Sequence, residues 1–126
     1  MDTKEKMEYA VKCKHSGFNC AQAVLKAYQE ETGLSDEQVK EIGAGFAGGM
    51  GCMQSTCGAV IGAAISAGIM SKGNGTVMTA RSLLTDFTKK SGASICGDLK
   101  GINTGKVVCE CDDCIRNAIE MLDSYK

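Results

Sequence analysis

Between Ile42 and Ser71 the chain carries no Asp, Glu, Lys or Arg, although the segments on either side are dense with them. A stretch of that kind has to lie inside a folded protein, because nothing in it gains from water. Its first half, Gly43 to Thr56, is glycine-rich and irregular. Its second half, Cys57 to Met70, has no breaker other than glycine and predicts a buried helix. That helix is shorter than the roughly 20 residues a bilayer requires, and Gln54, Ser55 and Thr56 block its extension, so a transmembrane span is excluded. Gly58, Gly62 and Ser66 recur every four residues and make a row of small side chains, which another backbone or a cofactor can approach closely. The same row would also suit a homodimer contact. Thr56 is the expected N-cap, leaving Cys57 at the head of the helix, where free N–H groups and the dipole favour thiolate.

A chain of 126 residues makes one domain, 1–126, with enough length to bury a core. Its 14 basic and 15 acidic residues are interspersed, so no nucleic-acid footprint or membrane-binding polybasic patch is expected. The low aromatic content and the absence of Trp also argue against a base-stacking surface. Met1 to Lys6 is charged from the start, with no apolar run behind it, which predicts a cytoplasmic protein without a signal peptide. Eight cysteines in a reducing compartment point to metal binding or redox chemistry rather than to a disulfide framework. About half of them are expected to be buried hydrophobes instead, a common fate of free Cys.

The periodicity predicts helices throughout. The first runs from Thr3 to His15, capped by Thr3 or Asp2, with Met7, Ala10, Val11 and Lys14 along one side. Asn19 caps the second, with Gln22 in the reciprocal position and Gly33 as the stop, which places Cys20 at its first residue. Ser35 and Gln38 cap a short third helix in which Val39 and Ile42 face inward. After the Cys57 helix, another spans Thr76 to Lys90, burying Val77, Ala80, Leu83, Leu84 and Phe87 and ending at Gly92. Ser94 to Leu99 reads as an isolated turn carrying Cys96. The last helix begins near Asp112, with Cys114 in its first turn and Ile115, Ala118, Ile119 and Leu122 at helical spacing. Nothing alternates with period two, so the fold class is all-α, an irregular bundle of five or six helices around the glycine/alanine-rich one.

Gly43-Ala44-Gly45-Phe46-Ala47-Gly48 matches GxGxxG, but a helical pattern precedes it and no acidic residue follows before Asp86 to hold a ribose. The same loop could instead donate N–H groups to sulfide or thiolate. Cys109, Cys111 and Cys114 pack three thiols into six residues, and the last two form a CxxC. It sits in no βαβ pattern, and Asp112 and Asp113 should oppose thiolate there by like-charge repulsion. A zinc ribbon would need a second CxxC, and there is none. His15 reads as a solvated residue, and without a CxxCH motif c-type haem is excluded. More telling is that Cys20, Cys57 and Cys114 all fall in first helical turns while Cys96 sits on a turn. Four segments far apart in sequence thus present thiols beside free backbone donors, and if those ends converge they form one site. Stabilised thiolates in that setting suit Fe–S ligation or thiol–disulfide exchange.

Asn19-Cys20-Ala21-Gln22, the glycine-rich run into Cys57-Gly58-Ala59-Val60-Ile61-Gly62, Cys96 and Cys114-Ile115-Arg116-Asn117 together resemble the family of redox-active proteins named for its C_GCAxxG_C_C pattern. The chain is also similar to the non-haem part of split-Soret cytochromes, where an iron–sulfur centre accompanies the haems. The resemblance implies a small all-helical protein whose functional set is Cys20, Cys57, Cys96 and Cys114, with Cys111 the alternative fourth member. Cys13, Cys52, Cys109 and Cys111 are additions to that pattern. The leading expectation is an electron carrier that exchanges with a redox partner protein and binds an Fe–S cluster through those four cysteines. Cys52 and Cys111 would be substitute ligands, and Gly45, Gly48, Gly49, Gly51 and Gly58 would wrap the cluster. Two alternatives stand beside it. One is a metal-free dithiol protein in which Cys20 or Cys57 attacks and a member of the Cys109 to Cys114 group resolves; the other is a zinc-binding or zinc-sequestering protein.

Overall fold

The computed structural model describes residues 1–125. Among them are eight α-helices: α1 (Thr3–Lys14), α2 (Cys20–Ala27), α3 (Gln29–Thr32), α4 (Asp36–Gly43), α5 (Gly58–Met70), α6 (Thr76–Ser91), α7 (Cys96–Leu99) and α8 (Cys111–Ser124). A 3-10 turn, Ala44–Phe46, and a π turn, Gly49–Met53, link α4 to α5. The fold is all-helical; among the described residues the one β element is an isolated antiparallel bridge between Thr56 and Ile95. Two of the eight helices, α3 and α7, are single turns of four residues, below the length at which periodicity is readable from sequence.

Three helices begin with reciprocal capping boxes: Asp2 with Glu5, Asn19 with Gln22, and Ser35 with Gln38. The Asn19 box reaches further than its own helix. Its Nδ2 donates to the Gly43 carbonyl and Gln22 Nε2 to that of Lys40, which ties the α2 start to the end of α4. At α5 the cap is Cys57 rather than Thr56, and no side chain closes it. The reason is the bridge: Thr56 is held extended against Ile95, with Cys57 N donating to Ser94 O at 2.8 Å and Cys96 N to Ser55 O at 2.9 Å.

The core gathers α1, α2, α5, α6 and α8 around Tyr28, Phe87, Leu25, Leu83, Ile115 and Ile119. The α2–α5 contact is the most extensive of the helix pairings. Gly62 makes it so: a Cβ at that position would lie 2.6 Å from Ala21 O and 3.1 Å from Val24 Cβ. The row of small residues therefore serves a packing contact within the chain. Helix α5 is buried along that side only, through Ala59, Gly62, Ala63, Ser66 and Ala67, while Ile61, Ile65 and Ile69 are partly exposed. Three other expected core positions lie outside: Ile42 and Leu84 are exposed and Val77 is 77% exposed. In α6 the packed stripe is narrower than the apolar pattern, one residue per turn at Leu83, Phe87 and Ser91.

Candidate functional site

A small cavity opens where four helix starts meet. Six cysteines line it: Cys20, Cys57, Cys96, Cys109, Cys111 and Cys114. Cys20, Cys96 and Cys111 are the first residues of α2, α7 and α8, and Cys57 caps α5. Placing thiols at these positions requires nothing more than the local caps, but aiming them at one another requires the tertiary contacts. The Thr56–Ile95 bridge carries Cys57 and Cys96 side by side, and the α2–α5 packing sets Cys20 beside the α5 start, where a Cβ on Gly58 would meet Cys20 Cβ at 3.5 Å. Loop 101–108 folds back so that Val108 N and Cys109 N both donate to Leu99 O, which swings Cys109 and the head of α8 over the opening. Gly101, at φ +86°, allows that return, since a Cβ there would strike Lys106 backbone at 2.6 Å.

The remaining wall is Phe46, Gly48, Gly49, Gly58, Leu99 and Lys100. Gly49 sits at φ +59°, and a Cβ on it would fall 2.8 Å from Cys96 Cβ, so the loop's backbone presses directly on the sulfur site. Of the glycines expected to wrap a cofactor, Gly48, Gly49 and Gly58 reach the cavity. Gly45 and Gly51 are exposed with nothing facing them, because the 3-10 and π turns roll them to the outer side. GxGxxG here joins a helix to a 3-10 turn, with no strand before it.

Cysteine membership also differs from expectation. Cys52 is exposed on the π turn, outside the cavity, and its thiol contacts Gly49 O at 3.5 Å. Cys109, expected as an addition to the family pattern and as one of the possible resolving thiols, lines the cavity and accepts from Asn117 Nδ2 at 3.9 Å. Cys13 is a buried core residue. No sequence rule for caps could have found Cys109, because the backbone of loop 101–108 places it.

The thiols interact in pairs. Cys20 hydrogen-bonds Cys111, and this contact, reinforced by burial, pushes the Cys20 thiol well up. The same contact pulls Cys111 down to about 5, against the effect of burial and with help from Lys100. Cys114 likewise donates toward Cys57 and is pushed up, while Cys57 is lowered by that contact and by the N–H groups of Ala59 and Val60 at the start of α5. Burial raises Cys96. Two corrections follow. Cys20 and Cys114, both expected as thiolates, are the protonated partners of their pairs. The CxxC aspartates do not hold Cys111 protonated: Asp112 is hydrogen-bonded to His15 at 2.8 Å and Asp113 to Arg116 at 3.0 Å, while the contact with Cys20 and the charge of Lys100 pull the thiol down. All eight cysteines are free thiols, and among the described residues no three Cys, His, Asp or Glu side chains are already gathered around a single ion position.

Cys20, Cys57, Cys96 and Cys114, the cysteines spaced through the sequence, line this one cavity. The family model described as "Putative redox-active protein (C_GCAxxG_C_C)" matches residues 18–125. The chain belongs to that family. Neither the curated proteins nor the solved structures compared with it gave a match. As a C_GCAxxG_C_C protein it is redox-active by family, and its cavity holds every cysteine of the expected functional set together with both contenders for the fourth place. No helix among the described residues is long and apolar enough to cross a membrane.

Proposed function

We propose that this protein carries electrons through an Fe–S cluster held in the six-cysteine cavity. The observation that carries the reading is the number and origin of the sulfurs: six, from the starts of α2, α5, α7 and α8 and from the residue pair before α8, around one space. A dithiol centre needs two sulfurs; a polynuclear cluster takes about four cysteine thiolates. The donor set fits, since thiolates are the soft ligands such clusters take. Cys20, Cys57, Cys96 and Cys114 would hold it, with Cys111 and Cys109 within the same wall. When bound, the cluster would supply a one-electron couple. What the chain contributes is separate from that. The N–H groups at the start of α5 stabilise anionic sulfur at Cys57, and Gly48 and Gly49 keep the wall free of side chains so that backbone can approach sulfur. The buried position of Cys57, Cys96 and Cys114 keeps water back.

The paired thiols favour a second reading, thiol–disulfide exchange. Cys111, held as thiolate, would attack one sulfur of a partner's disulfide, forming a mixed disulfide and releasing the other sulfur as thiolate. Cys20 would then form a bond to Cys111 and break the mixed disulfide, its proton passing to the second leaving thiolate. The partner ends as two thiols, the first-released thiolate taking its proton from water, and the protein as a Cys20–Cys111 disulfide. The two readings part in one experiment: visible spectroscopy with iron, acid-labile sulfide and zinc analysis on protein purified without oxygen. Stoichiometric iron and sulfide, with visible absorption that bleaches with dithionite and is lost in Cys57→Ser, support the cluster. Metal-free protein that forms a Cys20–Cys111 disulfide on mild oxidation supports exchange, and stoichiometric zinc alone would overturn both.

A further inference from the structure

Among the residues lining the cavity, the single charged side chain is Lys100, and no carboxylate lines the wall to neutralise it. Its position is built in. Lys100 is the C-cap of α7, four residues after Cys96, so a single turn delivers a thiol and an ammonium to the same face. That turn is pinned at both ends, by the Cys96 N bond to Ser55 O before it and by the return of loop 101–108 onto Leu99 O after it. The lysine is half-buried, lines the cavity with Cys20, Cys96 and Cys111, and its charge favours the thiolate form of each. Of the neighbouring carboxylates, Asp98 accepts from Asn103, Asp112 from His15 and Asp113 from Arg116, while Glu110 is exposed and does not line the cavity. The more distant Lys14, on α1, adds a weaker field of the same sign.

We infer that Lys100 is a positioning residue that makes this cavity selective for anionic sulfur and anionic reactants, by supplying the one countercharge inside a wall of thiols. The inference rests on the redox reading of the cavity but not on which redox centre it holds. Anionic sulfur brought together in a space lined by apolar and thiol groups is unstable without a cation. Six cysteines supply negative charge on ionisation or ligation, and one lysine offsets part of it.

The test compares two alkylating reagents, anionic iodoacetate and neutral iodoacetamide, on the reduced, metal-free protein, with labelling at each cysteine resolved by peptide mass spectrometry. Both reagents attack through the same thiolate, so the ratio of their rates cancels the ionised fraction and reports the local potential. One unit charge within contact range changes that ratio roughly three- to fivefold. In Lys100→Met the iodoacetate-to-iodoacetamide ratio at Cys111 should fall by about that factor. Lys100→Arg should retain the parent ratio, and Cys52, outside the cavity, should be unchanged in every variant. Should Lys100→Met fail to fold by circular dichroism, Lys100→Gln replaces it in the same assay. An unaltered ratio at Cys111, or an equal change at Cys52, overturns the inference. Iron content, measured separately, keeps the two readings apart: no iron with a falling ratio removes the cluster and leaves Lys100 in its role, whereas stoichiometric iron with a constant ratio does the reverse.

Discussion

Cys20 and Cys111 share one proton, and the direction of sharing follows from what surrounds each sulfur. Lys100 stands by Cys111, whereas Cys20 is the more deeply buried partner. In metal-free, reduced protein, iodoacetamide labelling of Cys111 should rise with a midpoint at about 5, and Cys20→Ala should move that midpoint upward because the donor is gone. Stability follows with a definite sign. The folded pKa of Cys111 lies below the 9.0 of a free thiol, so its ionisation favours the fold fully above that value; the contribution shrinks as pH falls and is gone below about 5. Cys20 acts the other way, since its folded pKa is raised and its contribution is lost as pH climbs above 9.0. The pair therefore favours folding most near pH 9, and in Cys111→Ser the urea-unfolding free energy should depend less steeply on pH between 5 and 9 than in the parent.

Helix α5 shows how two glycines in one element play opposite parts. Gly62 faces Ala21 O and Val24, and both neighbours are fixed in α2. Gly62→Ala should separate α2 from α5 and lower stability by roughly 1–3 kcal/mol, read from the urea midpoint. It should also slow formation of any product that joins Cys20 to a sulfur across the cavity, because the two helices carry Cys20 and Cys57. Gly68, in the same helix, faces only Thr76 Cγ2 at 3.5 Å, an ordinary contact. Gly68→Ala should raise stability by about 0.4–1 kcal/mol in the same assay, through a less flexible unfolded chain. At the α2 start, Asn19→Ala should cost about 0.5–2 kcal/mol, since it removes the acceptor for Gln22 N and the donor to Gly43 O together.

The ends of the chain close on each other far from the cavity. Lys6, 4% exposed on α1, forms ion pairs with Glu31 and with Asp123 of α8 and lies over the Tyr28 ring. Tyr28 Oη and Thr3 Oγ1 each donate to Asp123 at 2.7 Å. Breaking a buried pair from one side leaves its carboxylates uncompensated, so Lys6→Met should cost about 3 kcal/mol, whereas Tyr28→Phe, which loses a hydrogen bond, should cost about 1 kcal/mol. Thermal unfolding of both variants checks the ranking. Because this network joins α1, α2, α3 and α8, it holds the helix that begins at Cys111 without touching the sulfurs, so Lys6→Met should lower the unfolding temperature while the reagent ratio at Cys111 stays at the parent value.

Short-range chemistry was legible in the linear chain. The capping pairs Asn19/Gln22 and Ser35/Gln38, the left-handed stops at Gly33 and Gly92, and the first-residue position of Cys20 each depend on bonds spanning a few residues, so residue type and spacing determine them. The all-helical class follows for the same reason, from a period that repeats locally. Which faces are buried did not follow, and neither did the membership of the cavity. Ile42, Val77 and Leu84 sit at apolar positions but have no neighbour to cover them. Cys109 enters the cavity and Cys52 stays out because of the Leu99 O return and the outward roll of the π turn, while Lys100 reaches the thiols because the Thr56–Ile95 bridge orients a helix of four residues. The Thr56–Ile95 bridge joins segments dozens of residues apart, and the Leu99 O return closes a loop of about ten. Their energy depends on shapes that exist only once the helices have packed, so the cysteines set the chemistry available and the tertiary structure decided which sulfurs meet and which of them holds the proton.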